Sequence, residues 1–518
     1  MAAMEVLPGL TPSIDEVRRL AAEGYNLIPV WRDDLADMET PVSAYWRLNG
    51  DGPGFLLESV EGGERLGRYS FIGGEPLAVV TLDKGEARVD GEQARTVPFT
   101  DPTRVLEDIL AGYRQAPVTG LAGRFTGGLV GYLSYEAAAY FEKLPEPKPD
   151  PTRTADGVFF LVDNVVVFDH LLHRRTIVAH ARVAAGEDPE AAYAAAGARV
   201  EAMARRLDDP AAAAPPGPGY APAPGWVDDP EAEGEWNVGR EEFMAQVRRC
   251  KEYILAGDIF QVQVSRRLKA PTTAHPFYLY RVLRTVNPSP YMYYLRLPGH
   301  AGEPRRGTAI VGTSPEILVR VEEGNIEYRP IAGTRRRGRD EAHDHAMEDE
   351  LRGSEKERAE HVMLVDLGRN DVGRIAEVGT VTVPELMFIE RYSAVMHLVS
   401  RVTARLRRGL TPLDALRACF PAGTVTGAPK IRAMEIIAEL EPEARGVYAG
   451  AVGYASFAGN LDTAIAIRTV VVKDDHAYIQ AAAGVVADSS PEEEFLETEN
   501  KTAALRRALR AAHLSRLP

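Results

Sequence analysis

YAGAVGYASFAGNLDTAIAIRTVVVKDDHAYIQAAAGVV, residues 448–486, reads as three strands in succession, Tyr448–Phe457, Thr463–Lys473 and Ala477–Val486, before a helix opens at Pro491. Upstream, helix Pro412–Cys419 is preceded by strands Thr380–Phe388 and Arg391–Thr403, and these by two helices, Glu341–Arg352 and Ser354–Asn370. Further back the pattern gives strands at Ile259–Leu268, Tyr291–Leu297, Ala309–Val311 and Ile317–Val321, after a helix over Glu241–Ala256. The first part of the chain carries β-rich runs at Phe71–Val89, Gly127–Leu133 and Val158–Val183, with helices over Pro102–Gln115 and Pro189–Arg206. Strands in runs with helices between them, rather than strict βαβα alternation, predict an α+β fold. Residues 207–235 lose all periodicity to proline, alanine and acid and read as a linker. The expected division is therefore 1–206, linker 207–235 and 236–518.

A chain of 518 residues is long enough for two to four domains of about 150 residues. With 45% hydrophobic and 26% charged residues it is globular, and its net charge of −15 argues against nucleic acid or an anionic membrane surface as partner. Cys250 and Cys419 are the only cysteines, too few for a disulfide framework or a multi-cysteine zinc site. The opening twenty residues lack an apolar signal core, and no stretch of about 18 residues is apolar enough to span a bilayer. The expected location is the cytoplasm.

Several residue types stand out chemically. In TAIAIRTVVV, strand alternation puts Ala464, Ala466, Arg468 and Val470 on one apolar face. A buried arginine keeps its charge and must meet an anion, either a protein carboxylate or one on a ligand. His397 shares a face with Val395 and Val399 and is either a hydrogen-bonded core histidine or a base near pH 7. On the last helix Glu494, Glu497 and Lys501 fall at i, i+3 and i+7, and Glu360 borders the apolar run VMLVDL. Two helical carboxylates with room for waters and a ligand oxygen suit Mg²⁺, although a solvated charged face is the simpler reading. PIAGTRRRG, GTVTGAPK and QAAAGVVADS put Gly or Thr at element ends, where backbone N–H groups can meet ligand oxygens or merely form tight turns. GTVTGAPK lacks P-loop spacing.

These segments together resemble the chorismate-utilising enzymes, and within them the anthranilate synthase large-subunit (component I) family. The resemblance runs through LLESVEGGERLGRYSFIG, GDIFQVQVS, NPSPYMYY, GTSPE, PIAGTRRRG, AEHVMLVDLGRND, VMHLVS, GTVTGAPK, GVYAGAVGY and ETENK, covering all but the linker. It implies layered antiparallel β-sheets with helices packed outside, and conversion of chorismate and ammonia to anthranilate and pyruvate. It further implies Mg²⁺ on Glu360 and Glu497, Glu316 as general acid and His397 as the base of the second step. Tyr448 and Arg468 would hold the enolpyruvyl carboxylate and Lys501 the metal-side carboxylate. Gly333, Thr334, Thr424 and the backbone of Ala482, Ala483 and Gly484 would take the remaining oxygens.

Relatives are told apart at two positions. Ala332 of PIAGT stands where aminodeoxychorismate synthases carry a nucleophilic lysine, and Gln261 where isochorismate and salicylate synthases carry a lysine base. Neither can replace it, which leaves ammonia as the attacking group. The chain departs from the family pattern at QVQVS, for QVVPS, and at QAAAG, for QAGAG. Neither cysteine sits in a nucleophile elbow, so the resemblance implies a separate glutamine amidotransferase subunit in a hetero-oligomer, of heterotetrameric type. It also implies tryptophan feedback inhibition through Leu57, Glu58, Ser59, Pro290, Tyr291 and Met292. Alternatives are an aminodeoxyisochorismate synthase that does not eliminate pyruvate, and a noncatalytic regulatory subunit keeping an aromatic-ligand pocket.

Overall fold

The computed structural model describes residues 9–59, 67–121, 123–184, 186–209, 214–217, 232–299, 307–392 and 395–514. Most of the 207–235 linker and residues 60–66 of the LLESVEGGERLGRYSFIG segment lie outside them. No helix among the described residues is long and apolar enough to cross a membrane.

Two twelve-stranded sheets, with antiparallel pairing between neighbouring strands, form the centre. The first runs, edge to edge, through Leu27–Leu35, Arg174–Arg182, Asn164–Asp169, Tyr69–Gly74, Gly54–Glu58, Tyr291–Arg296, Ala309–Ser314, Thr469–Lys473, His476–Val485, Gln261–Pro271 and Glu235–Trp236. The second runs through Ile331–Arg336, Val395–Arg405, Asn325–Tyr328, Ile317–Glu322, Leu461–Ile465, Ala451–Ser456, Gly128–Leu133, Gly157–Val162, Ala78–Asp83, Glu86–Gly91 and Arg95–Pro98. Gly427–Ala428 adds a two-residue branch to the first and Thr382–Arg391 a ten-residue branch to the second. Both sheets therefore draw strands from either side of the linker. In the first, Gly54–Glu58 pairs with Tyr291–Arg296; in the second, Gly128–Leu133 pairs with Ala451–Ser456.

The sheets face one another across an aromatic-rich core that includes Phe55, Phe71 and Tyr293 of the first and Tyr132, Phe160 and Tyr454 of the second. Phe71 and Tyr454 meet edge-on across it at 5.7 Å. Outside the first sheet pack helices Ile14–Ala22, Pro41–Asn49, Pro189–Asp208, Pro276–Val286 and Pro491–Leu514, and outside the second Pro102–Ala111 and Pro412–Cys419. The expected α+β fold of layered antiparallel sheets with external helices is what the chain adopts.

The stretch expected to be one strand, Thr463–Lys473, is two. Leu461–Ile465 belongs to the second sheet and Thr469–Lys473 to the first, and the chain crosses between them at 466–468 with Arg468 in a left-handed conformation, φ 52°. Ala464 and Val470 thus lie in different sheets, and the single apolar face assigned to them with Arg468 does not exist. Apolar alternation continues straight through because both strands bury their inner faces in the same core. A second crossover, 315–316, joins Ala309–Ser314 of the first sheet to Ile317–Glu322 of the second.

Candidate active site

The two crossovers carry two of the residues singled out by sequence, Glu316 and Arg468. Each is tied to the strand that leads into the other crossover: Ile465 N–H donates to Glu316 O at 3.1 Å, and Thr313 N–H donates to Arg468 O at 3.1 Å. Burial pushes the Glu316 carboxyl up to about 8, against smaller downward pulls from the Thr424 hydroxyl, the Ile331 N–H and the Lys501 cation. A carboxyl in that state is protonated at neutral pH and can donate.

Arg468 donates to the Lys501 carbonyl and forms no salt bridge among the described residues. Burial pulls its guanidinium down, and Tyr448 and Glu497 offset this only in part. A part-buried guanidinium without a bonded carboxylate among the described residues is suited to receive an anion. Lys501 Nζ ion-pairs with Glu497 at 2.5 Å and donates to the Ala482 carbonyl at 2.9 Å. The Ala482 backbone also lies against the Tyr448 hydroxyl.

Helix Pro491–Leu514 presents Glu497 toward Glu360 of helix Glu355–Gly373. Glu360 is pushed up by burial and by its neighbours Glu357 and Glu497, while Gln261 Nε2 donates to its Oε1 at 2.7 Å. Burial also pushes Glu497 up, but Lys501, Glu494 and Arg468 outweigh that and hold it below its ordinary value. No group of three or more His, Cys, Asp or Glu side chains among the described residues is gathered tightly enough to enclose an ion by itself. Two mutually repelling oxygen donors on separate helices do fit Mg²⁺, which takes one or two carboxylates and completes its shell with water and substrate. Gly484 presents bare backbone here: a Cβ would come within 2.6 Å of Gln263 Nε2 and 3.1 Å of Gln261 Nε2.

His397 lies on strand Val395–Arg405, opposite Thr334 on one side and Glu390 on the other. Its Nδ1 is 3.2 Å from Gly333 O and 3.0 Å from Thr334 Oγ1. A carbonyl only accepts, so Nδ1 carries the proton in that bond and Nε2 keeps its lone pair. Burial lowers its pKa, so the ring is neutral at pH 7. The arrangement needs Gly333, which bulges out of the ladder at φ 59° and whose Cβ would strike Leu351 at 2.7 Å.

Contacts and mutual electrostatic influence thus link Glu316, Thr424, Lys501, Glu497, Arg468, Tyr448, Glu360, His397, Gly333 and Thr334. Ala482, Ala483 and Gly484 flank them on strand His476–Val485, opposite Ser265, Val264 and Gln263.

The other six singled-out residues, Leu57, Glu58, Ser59, Pro290, Tyr291 and Met292, line one cavity between the two sheets, about 650 Å³ of empty space, part of it open to solvent. Its opposite wall includes Arg320, Tyr454 and Asp462 of the second sheet. Ser59 Oγ is buried with no hydrogen-bond partner among the described residues. Glu58 is already engaged: Arg284 donates to it at 3.1 and 3.3 Å, and the Tyr280 hydroxyl also donates to it. Sequence reasoning missed Tyr280 and Arg284, although their i, i+4 spacing on helix Pro276–Val286 was available as a signal.

Residues 52–507 match the chorismate binding enzyme family. The chain is 45% identical to anthranilate synthase component 1 of Acetivibrio thermocellus over 97% of its length and 99% of the relative's. It is 47% identical to the component 1 of Pseudomonas aeruginosa, again over 97% and 99%. Among solved structures it resembles anthranilate synthase component I from Streptococcus pneumoniae, with a TM-score of 0.71, 34% identity, and 91% and 99% of the two chains covered. The menaquinone-specific isochorismate synthase of Escherichia coli, 18% identical with a TM-score of 0.65 over 96% and 98% of the chains, shares the fold. The chain is an enzyme of the chorismate binding family, and within it belongs to the anthranilate synthase component 1 group.

Proposed function

We propose that this enzyme converts chorismate and ammonia to anthranilate and pyruvate, the entry step of tryptophan synthesis, in the cytoplasm. The observation that carries the reading is Arg468, part-buried beside Tyr448 and Lys501 without a salt-bridged carboxylate among the described residues. It suits the enolpyruvyl carboxylate of chorismate, with the Tyr448 hydroxyl beside it. Lys501 takes the ring carboxylate, and Thr334, Thr424 and the backbone at 482–484 take the remaining oxygens.

Glu360 and Glu497 would hold Mg²⁺, which when bound supplies positive charge to the ring carboxylate and favours attack at ring carbon 2. Glu316 donates its proton to the carbon 4 hydroxyl, which departs as water while ammonia bonds to carbon 2. His397 Nε2 then takes the ring proton; the enolpyruvyl C–O bond breaks, the ring becomes aromatic, and pyruvate leaves. Gln261, a neutral amide held by Glu360, cannot deprotonate water, in keeping with ammonia as the attacking group.

The ammonia comes from a glutamine amidotransferase partner in a hetero-oligomer. Cys250 and Cys419 are both buried, and burial pushes the Cys250 thiol up to about 12 and the Cys419 thiol up as well, the opposite of an activated nucleophile. Tryptophan inhibits by occupying the inter-sheet cavity, where Ser59 and the Pro290–Met292 segment meet it. The test is to give the purified chain chorismate, Mg²⁺ and ammonium at alkaline pH while following anthranilate fluorescence and pyruvate. Product should form without a partner, and glutamine should serve only when an amidotransferase subunit is added. Amination without pyruvate release would favour an aminodeoxyisochorismate synthase. Binding without turnover would favour a regulatory subunit.

A further inference from the structure

The inter-sheet cavity contains a polar bridge. Arg320 Nη2 donates to the Tyr291 hydroxyl at 2.8 Å, that hydroxyl donates to Asp462 Oδ1 at 3.1 Å, and Arg320 Nε donates to Asp462 Oδ2 at 3.0 Å. Tyr291 belongs to the first sheet, whereas Arg320 and Asp462 are cross-strand partners in the second. The Arg320 and Asp462 side chains are only 9% and 13% exposed, so the triad is a largely desolvated polar tie between the two layers, beside their shared apolar core. All three residues line the cavity. Any occupant therefore rests against the tie.

Each strand of the second-sheet half leads to one of the two crossovers. Arg320 is on Ile317–Glu322, which begins directly after Glu316. Asp462 is on Leu461–Ile465, whose last N–H holds the Glu316 carbonyl and whose chain continues into Arg468. A change in the spacing or slide of the sheets at the cavity must be taken up where the chain passes from one sheet to the other, at 315–316 and 466–468. Packed layers shift between discrete arrangements rather than deforming continuously.

We propose that Tyr291, Arg320 and Asp462 form a latch between the sheets through which occupancy of the cavity repositions Glu316 and Arg468. The proposal rests on the regulatory reading above and adds the route. Arg320 and Asp462 are positioning residues: they reach the reaction through the two crossovers, without touching substrate.

The experiment measures coupling, which a merely structural role would leave in place. Tryptophan is titrated calorimetrically into the full chain with Mg²⁺, with and without saturating chorismate, and with ammonia omitted so that no turnover occurs. The ratio of the two dissociation constants is the coupling factor, and ordinary allosteric factors run from about 5 to 150. The parent should show a factor in that range. Tyr291→Phe, which keeps the ring and removes the hydroxyl, should still bind tryptophan, but its factor should fall to within about threefold of one. Arg320→Lys keeps the charge opposite Asp462, loses the fork that spans both partners, and should behave the same way. Variants that bind tryptophan and keep the parent factor overturn the latch and leave the regulatory reading standing. The Tyr291 ring meets tryptophan in either case; variants that no longer bind tryptophan at all make the Tyr291 hydroxyl and Arg320 ligand contacts rather than a latch, which also overturns it. A parent that binds no tryptophan removes the regulatory reading itself.

Discussion

Replacing Glu316 with glutamine keeps its shape and removes its proton chemistry. The carboxyl of the parent is pushed by burial from 4.5 to about 8. At pH 7 about nine-tenths of it is protonated and at pH 9 about one-tenth, so a step needing its proton should slow about tenfold over that range. The assay is kcat/KM for chorismate at a fixed concentration of free ammonia, which removes the amine's own ionisation from the profile. Glu316→Gln should be slower by roughly a hundredfold or more and should lose this alkaline limb. Stability supplies an independent check. A carboxyl with a raised folded-state pKa binds more protons folded than unfolded, so its contribution is intact below 4.5 and is lost as pH rises through 8. The loss is on the order of 3 kcal/mol at pH 7 and 5 kcal/mol at pH 9. Glutamine does not titrate, so urea unfolding of variant and parent should diverge in the variant's favour by on the order of 1 kcal/mol between pH 7 and pH 9. A parent kcat/KM that stays flat across that interval, or a stability gap that does not move with pH, would refute the assignment of Glu316 as the proton donor.

His397→Met should still aminate chorismate but release little anthranilate, leaving an amino intermediate visible by chromatography; anthranilate at the parent rate from a folded variant removes His397 from the second step. Arg468→Gln should raise KM for chorismate by about a hundredfold, in line with the 2–5 kcal/mol cost of truncating a buried charge pair, and steady-state kinetics with parent-like KM would contradict the carboxylate contact. Gly484→Ala should push the Gln263 and Gln261 amides aside and weaken magnesium activation about tenfold, from contacts of 2.6 and 3.1 Å; an unchanged magnesium titration counts against Gln261 as a support for Glu360. Ser59→Ala should bind tryptophan about tenfold more weakly by calorimetry with little change in uninhibited turnover, and undiminished affinity would show that its orphan hydroxyl is not the ligand contact.

Three of the four helices announced by an acid or threonine cap followed by proline were legible; Pro41–Asn49, after Thr40, was not placed. Asp101–Pro102, Asp188–Pro189 and Thr411–Pro412 each start one, and Pro412–Cys419 was placed to the residue. Helices Pro276–Val286 and Lys430–Leu440 were not placed, because a histidine and a proline occupy their cap positions. Arg468 was legible as a cation set among apolar residues, but its strand context was not. Periodicity reports which faces are apolar, and both strands flanking Arg468 face one core, so the change of sheet leaves no mark in the pattern. The clustering of Glu316, Glu360, His397, Arg468 and Glu497 could not be read from spacing at all. They come from separate strands, helices and crossovers, and only the family resemblance joined them beforehand.

Because both sheets interleave strands from either side of residues 207–235, that stretch is a seam in the chain and not in the structure. A chain released at residue 206 would expose Gly54–Glu58 and Gly128–Leu133 as bare edges, since their partners Tyr291–Arg296 and Ala451–Ser456 lie far downstream. Folding must wait for late-synthesised strands, which makes the nascent first half a client for chaperones and a poor autonomous fragment. A nick at the seam has the opposite outcome. Two pieces cut there and co-expressed should reassemble through the same strand ladders, so the enzyme lends itself to split-protein complementation at a place where truncation would be ruinous.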